Sequence, residues 1–265
     1  MPKTTTTHES PSGDENRNAK EKVSHSLTKE EFETFNPWRL GIGNVAHGGE
    51  HIQALAVFYD LESFTSFCDQ RDSHLVIPNF LSQFVNWLYN SLADEFRESQ
   101  TDDHITLNAP LPFFSKFLGD GVLLLWDTDE LGTDDEILSN LVQRLHNIVL
   151  KYDSDFLPGI QRHIANIPKI LRCGIARGQI IPVGDGQDYV GSCINVAARL
   201  QKLGSLRFAV SQRGINLTPG RESLIHPLVV KQVEIRGIEK KELVYVFPQE
   251  LEKLSDKDRE LFKDP

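Results

Sequence analysis

The sequence predicts an α+β domain, a mostly antiparallel sheet with helices on one face. Three observations carry that prediction. Short strand-like apolar runs alternate with longer stretches whose apolar residues recur at helical spacing. Two of the runs are joined by Gly119-Asp120, a pair suited to a tight hairpin. Two aspartates, Asp60 and Asp120, sit at the edges of such runs, where a carboxylate is held firmly yet stays reachable.

Taken in order, residues 1–30 are rich in Thr, Ser, Glu, Asn and Lys and almost free of large apolar side chains, which predicts a disordered N-terminal tail. Phe32, Phe35, Trp38 and Leu40, followed by a Gly-rich stretch, predict a short element packed ahead of a single domain spanning 31–249. The run Ala54-Leu55-Ala56-Val57-Phe58-Tyr59-Asp60 predicts a strand over 53–60. Phe80, Phe84, Leu88, Leu92 and Phe96 recur every four residues and define one face of a helix. Residues 113–118 and 121–126 read as the hairpin strands, and a second helix over 135–152 carries the stripe Leu138, Leu141, Val142, Leu145, Ile148 and Val149. Ile170 to Ala176 reads as a strand, with Gln179 to Gly184 its continuation or its partner. A helix over 193–203 stops at Gly204, and strands follow at 207–211, 228–235 and 242–247. Residues 250–265 read as a charged C-terminal tail, a solvated helix or a fray. The hairpin is expected beside the first strand, which would bring Asp60 and Asp120 together.

Composition narrows the function. At 265 residues with 39% hydrophobic, the chain can bury a sizeable core. A net charge of -10 and a pI near 5.4 argue against a general nucleic-acid binder, which needs a basic surface. No run reaches the roughly 18 apolar residues of a membrane span, and Met1-Pro2-Lys3 followed by four Thr lacks a signal-peptide core. The expected location is the cytoplasm, with no direct membrane association. Cys68, Cys173 and Cys193 are odd in number and widely spaced, so reduced thiols are expected.

Converging carboxylates from Asp60 and Asp120 would form a divalent-metal site suited to nucleoside triphosphates. After Asp60, Leu61-Glu62-Ser63-Phe64-Thr65 turns toward a helix whose backbone N–H groups could meet phosphate oxygens; Asp60 or Thr65 could equally be a plain helix cap. Asp120 alone is also an ordinary turn residue. Asn195 and Arg199, four apart on a helix, present an amide and a guanidinium to one side, an arrangement that suits a developing oxyanion and also an ordinary surface pair. Arg172 opens an otherwise apolar strand, where a cation needs a ligand or a salt bridge. The histidines lack HExxH spacing, and Gly184, Gly186 and Gly191 form no Walker or Rossmann loop; Gly184-Asp185-Gly186-Gln187 reads as a hairpin tip.

Four segments in order resemble the catalytic domain of class III nucleotidyl cyclases. They are Phe58-Tyr59-Asp60-Leu61-Glu62-Ser63-Phe64-Thr65, Lys116-Phe117-Leu118-Gly119-Asp120, Arg172-Cys173-Gly174-Ile175 and the stretch Asp188 to Arg199. The resemblance spans roughly 53–247 and departs from the family at Tyr59, Ser63 and Phe117, where a small residue, Gly and Thr are common. It implies a ferredoxin-like cyclase homology domain acting as a homodimer, with metal aspartates of one subunit facing the base-reading and transition-state residues of the other. It further implies two Mg²⁺ or Mn²⁺ per active site on Asp60, Asp120 and the Leu61 carbonyl. Asn195 would orient the ribose and Arg199 would stabilise the α-phosphoryl charge. Arg172 and the Ser63-Phe64-Thr65 backbone would meet the polyphosphate, with Lys116 and Asp188 at the base-reading positions. A lysine donor beside an aspartate acceptor suits adenine, cytosine or, with roles exchanged, uracil better than guanine. In architecture and motif wording the chain most resembles the pyrimidine cyclases of bacterial Pycsar antiphage systems, which make cyclic UMP or cyclic CMP as an infection alarm for a separate effector. An adenylate cyclase, or an inactive nucleotide-binding or dimerisation module, are the alternatives. No Gly-Gly-Asp/Glu-Glu-Phe segment of a diguanylate cyclase is present.

Overall fold

The structure, a computed structural model, describes residues 28–33, 49–101, 104–131, 135–184, 186–217, 228–238 and 241–265. The expectations for residues 1–27 and for Phe35, Trp38 and Leu40 lie outside these residues; Lys29–Glu33 forms a short helix, α1.

The central strand is β1 (Ile52–Leu61). It pairs antiparallel with β5 (Gly121–Asp127) on one side and with β6 (Leu171–Val183) on the other. β4 (Phe114–Phe117) forms the expected hairpin with β5. Its turn is closed by Leu118 N–H donating to the Gly121 carbonyl at 2.8 Å, with Gly119 at φ +95°, a conformation open to glycine at no steric cost. β6 is one continuous strand through residue 183, so the stretch from Gln179 is its continuation. It turns back into β7 (Asp188–Val190). The sheet ends with β8 (Phe208–Ser211), β9 (Val229–Val233) and β10 (Glu242–Val246), in the order β4-β5-β1-β6-β8-β10-β9. Among the described residues only the β6–β8 pairing is parallel, because α6 (Ser192–Leu200) crosses between those strands.

Helices cover both faces of the sheet, where the sequence pattern suggests one. The reason lies in β1, which is apolar at every position from Ala54 to Tyr59, so both of its faces must be shielded from water. Leu55, Val57 and Tyr59 pack into a core with α3 (Ser73–Phe96) and α4 (Asp135–Lys151), and the Tyr59 hydroxyl donates to the Leu145 carbonyl at 2.8 Å. Ala54, Ala56 and Phe58 pack under α6 with Ala197 and Leu200. Small residues bring α6 close: a Cβ at Gly174 would stand 2.2 Å from the Ala197 carbonyl oxygen, and one at Gly178 would stand 3.2 Å from the Cys193 Cβ.

The C-terminal segment corrects a second expectation. Residues 248–259 form α7 (Pro248–Glu252) and α8 (Asp256–Arg259), and Leu254 and Phe262 are buried in the α6-side core at 4% and 8% exposure. Glu250 accepts from the backbone N–H groups of Arg207 and Phe208, and Lys263 bridges Gln232 on β9. The segment is thus helical in part, as one of the two expectations had it, but it is docked through Leu254 and Phe262 and is not solvated throughout. Two further elements carry no sequence signal: an exposed ribbon of β2 (Arg97–Gln100) and β3 (Ile105–Leu107), and a π-helical turn over Tyr152–Phe156 that leads from α4 into α5 (Leu157–Ile160).

Candidate active site

Strand register places the two aspartates side by side. Asp60 is opposite Gly121, and Leu61 N–H donates to the Asp120 carbonyl at 3.0 Å. Asp60 is buried, and its Oδ1 has no hydrogen-bond partner. Burial first, and the charge of Asp120 second, push the Asp60 carboxyl from 3.8 up to about 6, against the opposing charges of Lys202 and Arg172. An orphaned carboxylate oxygen beside a second carboxylate is a donor set that suits a hard divalent cation, which would relieve both the desolvation and the repulsion. No group of three or more His, Cys, Asp or Glu gathers among the described residues. The pair would therefore need backbone oxygens or substrate to complete a coordination shell. Leu61, whose carbonyl the resemblance puts among the ligands, is the last residue of β1.

Opposite Asp60 on the other neighbour strand is Arg172. Its guanidinium forms an ion pair with Glu62, so the strand cation has found the ordinary partner that its apolar surroundings demand. Glu62 is a site-lining residue that the sequence motifs do not single out. The signal for it is the cross-strand register of Asp60 with Arg172, which is invisible until the strands are paired. Ser63 is the N-cap residue of α2 (Phe64–Cys68), with φ +62° and no side-chain cap bond. Neither Asp60 nor Thr65 is therefore that cap. Ser63 and Thr65 are exposed and Phe64 is buried, so the segment presents polar groups and first-turn N–H donors without an intrahelical acceptor.

Lys116 on β4 and Asp188 on β7 meet in an ion pair, although 72 residues separate them. Asp188 also accepts from the Tyr189 N–H at 2.9 Å. The ring of Tyr189 packs edge-on against Phe114 and Phe113, with centroids 4.8 and 5.4 Å away. Asn195 and Arg199 lie on α6 as the spacing predicts, Asn195 exposed and Arg199 half-buried. The Arg199 guanidinium lies over Gly237, where a Cβ would come within 3.1 Å of it. Neither residue bonds to Asp60, Asp120, Lys116 or Asp188 among the described residues. One chain thus presents an aspartate group at the end of β1, a Lys116–Asp188 pair at the β4–β7 contact, and an Asn195–Arg199 pair on α6.

This architecture matches solved catalytic domains. The adenylyl cyclase CyaB from P. aeruginosa superposes with a TM-score of 0.55 at 14% identity, over 74% of this chain and 94% of that one. The guanylyl cyclase Cya2 does so with 0.55 at 14%, over 76% and 93%. The fold is that of a class III cyclase domain. A bacterial light-regulated adenylyl cyclase matches with a TM-score of 0.51 at 15% identity, over 88% of this chain and 64% of that chain. No protein-family model and no curated protein matches the sequence.

Proposed function

We propose that this chain is a nucleotidyl cyclase that converts a pyrimidine nucleoside triphosphate, UTP or CTP, into its 3′,5′-cyclic monophosphate and pyrophosphate. The observation that carries the reading is the buried Asp60 carboxylate, with its orphaned oxygen, beside Asp120. Asp60, Asp120 and the Leu61 carbonyl would hold two Mg²⁺ or Mn²⁺ ions, which when bound supply positive charge to the triphosphate and acidify the ribose 3′-hydroxyl. The 3′-oxygen bonds to the α-phosphorus as the bond to the β-phosphate bridging oxygen breaks, releasing pyrophosphate. Asn195 orients the ribose and Arg199 stabilises charge on the α-phosphoryl oxygens. First-turn N–H groups of Ser63-Phe64-Thr65 meet the polyphosphate, and Arg172 does so only by loosening its Glu62 pair. Lys116 and Asp188 read the base.

Tyr189, next to Asp188, packs against Phe113 and Phe114, close in sequence to Lys116, and aromatic bulk beside the pair supports a small base. Adenine remains the second reading, because the same donor and acceptor serve its N1 and N6. Among the described residues neither Asn195 nor Arg199 bonds to the aspartates of its own chain, and with the motif resemblance this supports a homodimer that shares each site between subunits. Phe117, Leu118 and Val190 expose apolar side chains at the Lys116–Asp188 contact, a surface that a second copy would cover. No helix among the described residues is long and apolar enough to cross a membrane; a cytoplasmic location rests on the sequence reading. A role as an alarm nucleotide source in antiviral defence rests on the motif resemblance.

The test is to incubate purified protein with each of ATP, GTP, CTP and UTP plus Mn²⁺ and to identify the products. Cyclic CMP or cyclic UMP is expected. Cyclic AMP alone would replace the pyrimidine reading with the adenylate one, and no cyclic product would leave a binding module.

A further inference from the structure

α6 lies close over two glycines of β6, and they fix its direction. Its first turn meets Gly178, which pairs with Ala54, and its last turn meets Gly174, which pairs with Phe58. The helix therefore runs alongside β1 in the same sense and ends toward Asp60. Side chains two apart on a strand share a face, so Asp60 projects to the same side as Phe58, the α6 side. A Cβ at Gly174 would lie 2.8 Å from the Gln201 nitrogen, and the next residue is Lys202.

Two cations act on the Asp60 carboxyl, and they differ in one respect. Arg172 is neutralised by Glu62. Lys202 is exposed and belongs to no ion pair among the described residues. An unpaired ammonium at the rim of a carboxylate pair has a use that the paired Arg172 lacks. We propose that Lys202 is a phosphate-binding residue of the cyclase site in its own subunit, holding the β,γ-phosphates of the substrate and the departing pyrophosphate. The inference rests on the cyclase reading and adds to it a cation supplied by the subunit that carries the aspartates. Without substrate, the same ammonium offsets the charge of Asp60. Lys202 thus competes with a metal cation for the carboxylates while favouring a polyphosphate anion.

That opposition of sign supplies the test. Binding of Mn²⁺ alone and of pyrophosphate in saturating Mn²⁺ is measured by calorimetry on the full chain, for wild type, Lys202→Met and Lys202→Arg. Lys202→Met should bind pyrophosphate about tenfold more weakly, the loss of one charge-assisted phosphate contact, and Mn²⁺ alone a few-fold more tightly. Lys202→Arg should bind both within about threefold of wild type, because it keeps the charge. A merely structural role would weaken both ligands together, and that result overturns the proposal. So does a Lys202→Met variant that binds both as wild type does, which leaves the cyclase reading standing. Failure of the wild-type chain to bind Mn²⁺ and pyrophosphate would remove both.

Discussion

Replacing Asp60 by asparagine should make the metal-free protein more stable at neutral pH. The carboxyl titrates at about 6 in the folded chain, against an ordinary 3.8, because it is buried and faces Asp120. Ionising it in the fold is therefore harder than in the unfolded chain. Between those two values the folded state binds the extra proton, so stability falls as pH rises. The stabilisation is complete below about pH 3.8 and is lost as pH climbs through about 6. The displacement is about two pH units at ~1.4 kcal/mol each, giving a ceiling of ~3 kcal/mol. Asparagine has nearly the same shape and never ionises. Urea denaturation with EDTA at pH 7.5 should thus show Asp60→Asn more stable by about 1–3 kcal/mol, and at pH 4.5 the advantage should shrink. Added Mn²⁺ should reverse the order at pH 7.5, since only the wild type gains binding free energy. A variant less stable than wild type at pH 7.5 without metal, or a difference independent of pH, would refute the crowded-carboxylate reasoning.

Other outcomes follow from single positions. Ser63 holds φ +62° with no side-chain cap bond, so Ser63→Gly should stabilise the fold by about 0.5–1 kcal/mol in denaturant melts. Gly174→Ala forces a Cβ to within 2.2 Å of the Ala197 carbonyl and should cost more than ~3 kcal/mol or prevent folding. Gly178→Ala meets only a side-chain carbon at 3.2 Å and should cost under about 1.5 kcal/mol in the same assay. Phe262→Ala should lower stability by about 3 kcal/mol, since the ring is buried in the α6-side core; no loss would return the C-terminal segment to a solvated tail.

The legible parts of the fold were those with local signals. The four-residue stripe of α3, the Gly119-Asp120 turn and the end of β1 at Asp60 each follow from periodicity or turn chemistry within a dozen residues. The adjacency of Asp60 and Asp120 follows once a hairpin is set beside β1. The two-sided burial of the sheet differs from the one-face expectation, although the unbroken apolar run Ala54–Tyr59, which an alternating antiparallel strand does not need, carries its signal. What escaped depends on contacts between distant segments. Leu254 and Phe262 are too sparse among charges to make a stripe, yet the space beneath α6 accepts both. Glu62 acquires its partner only through strand register, and the place of Lys202 depends on the direction in which α6 crosses the sheet. Tyr59, a departure from the family at a motif position, proved to be a core residue that ties β1 to α4 through the Leu145 carbonyl.

On the proposed cyclase reading, the ion pair between Lys116 and Asp188 would give base selection an exchange character. Before substrate arrives, each residue already satisfies the other. A nucleobase read by the two would have to replace an existing bond at both ends at once, so its net gain would be the small difference between two donor–acceptor sets. A free nucleoside should consequently bind weakly, with the triphosphate supplying most of the affinity. A base that engaged only one partner would leave the other charge stranded, and rejection of wrong substrates would then come from the resting pair's tendency to close again.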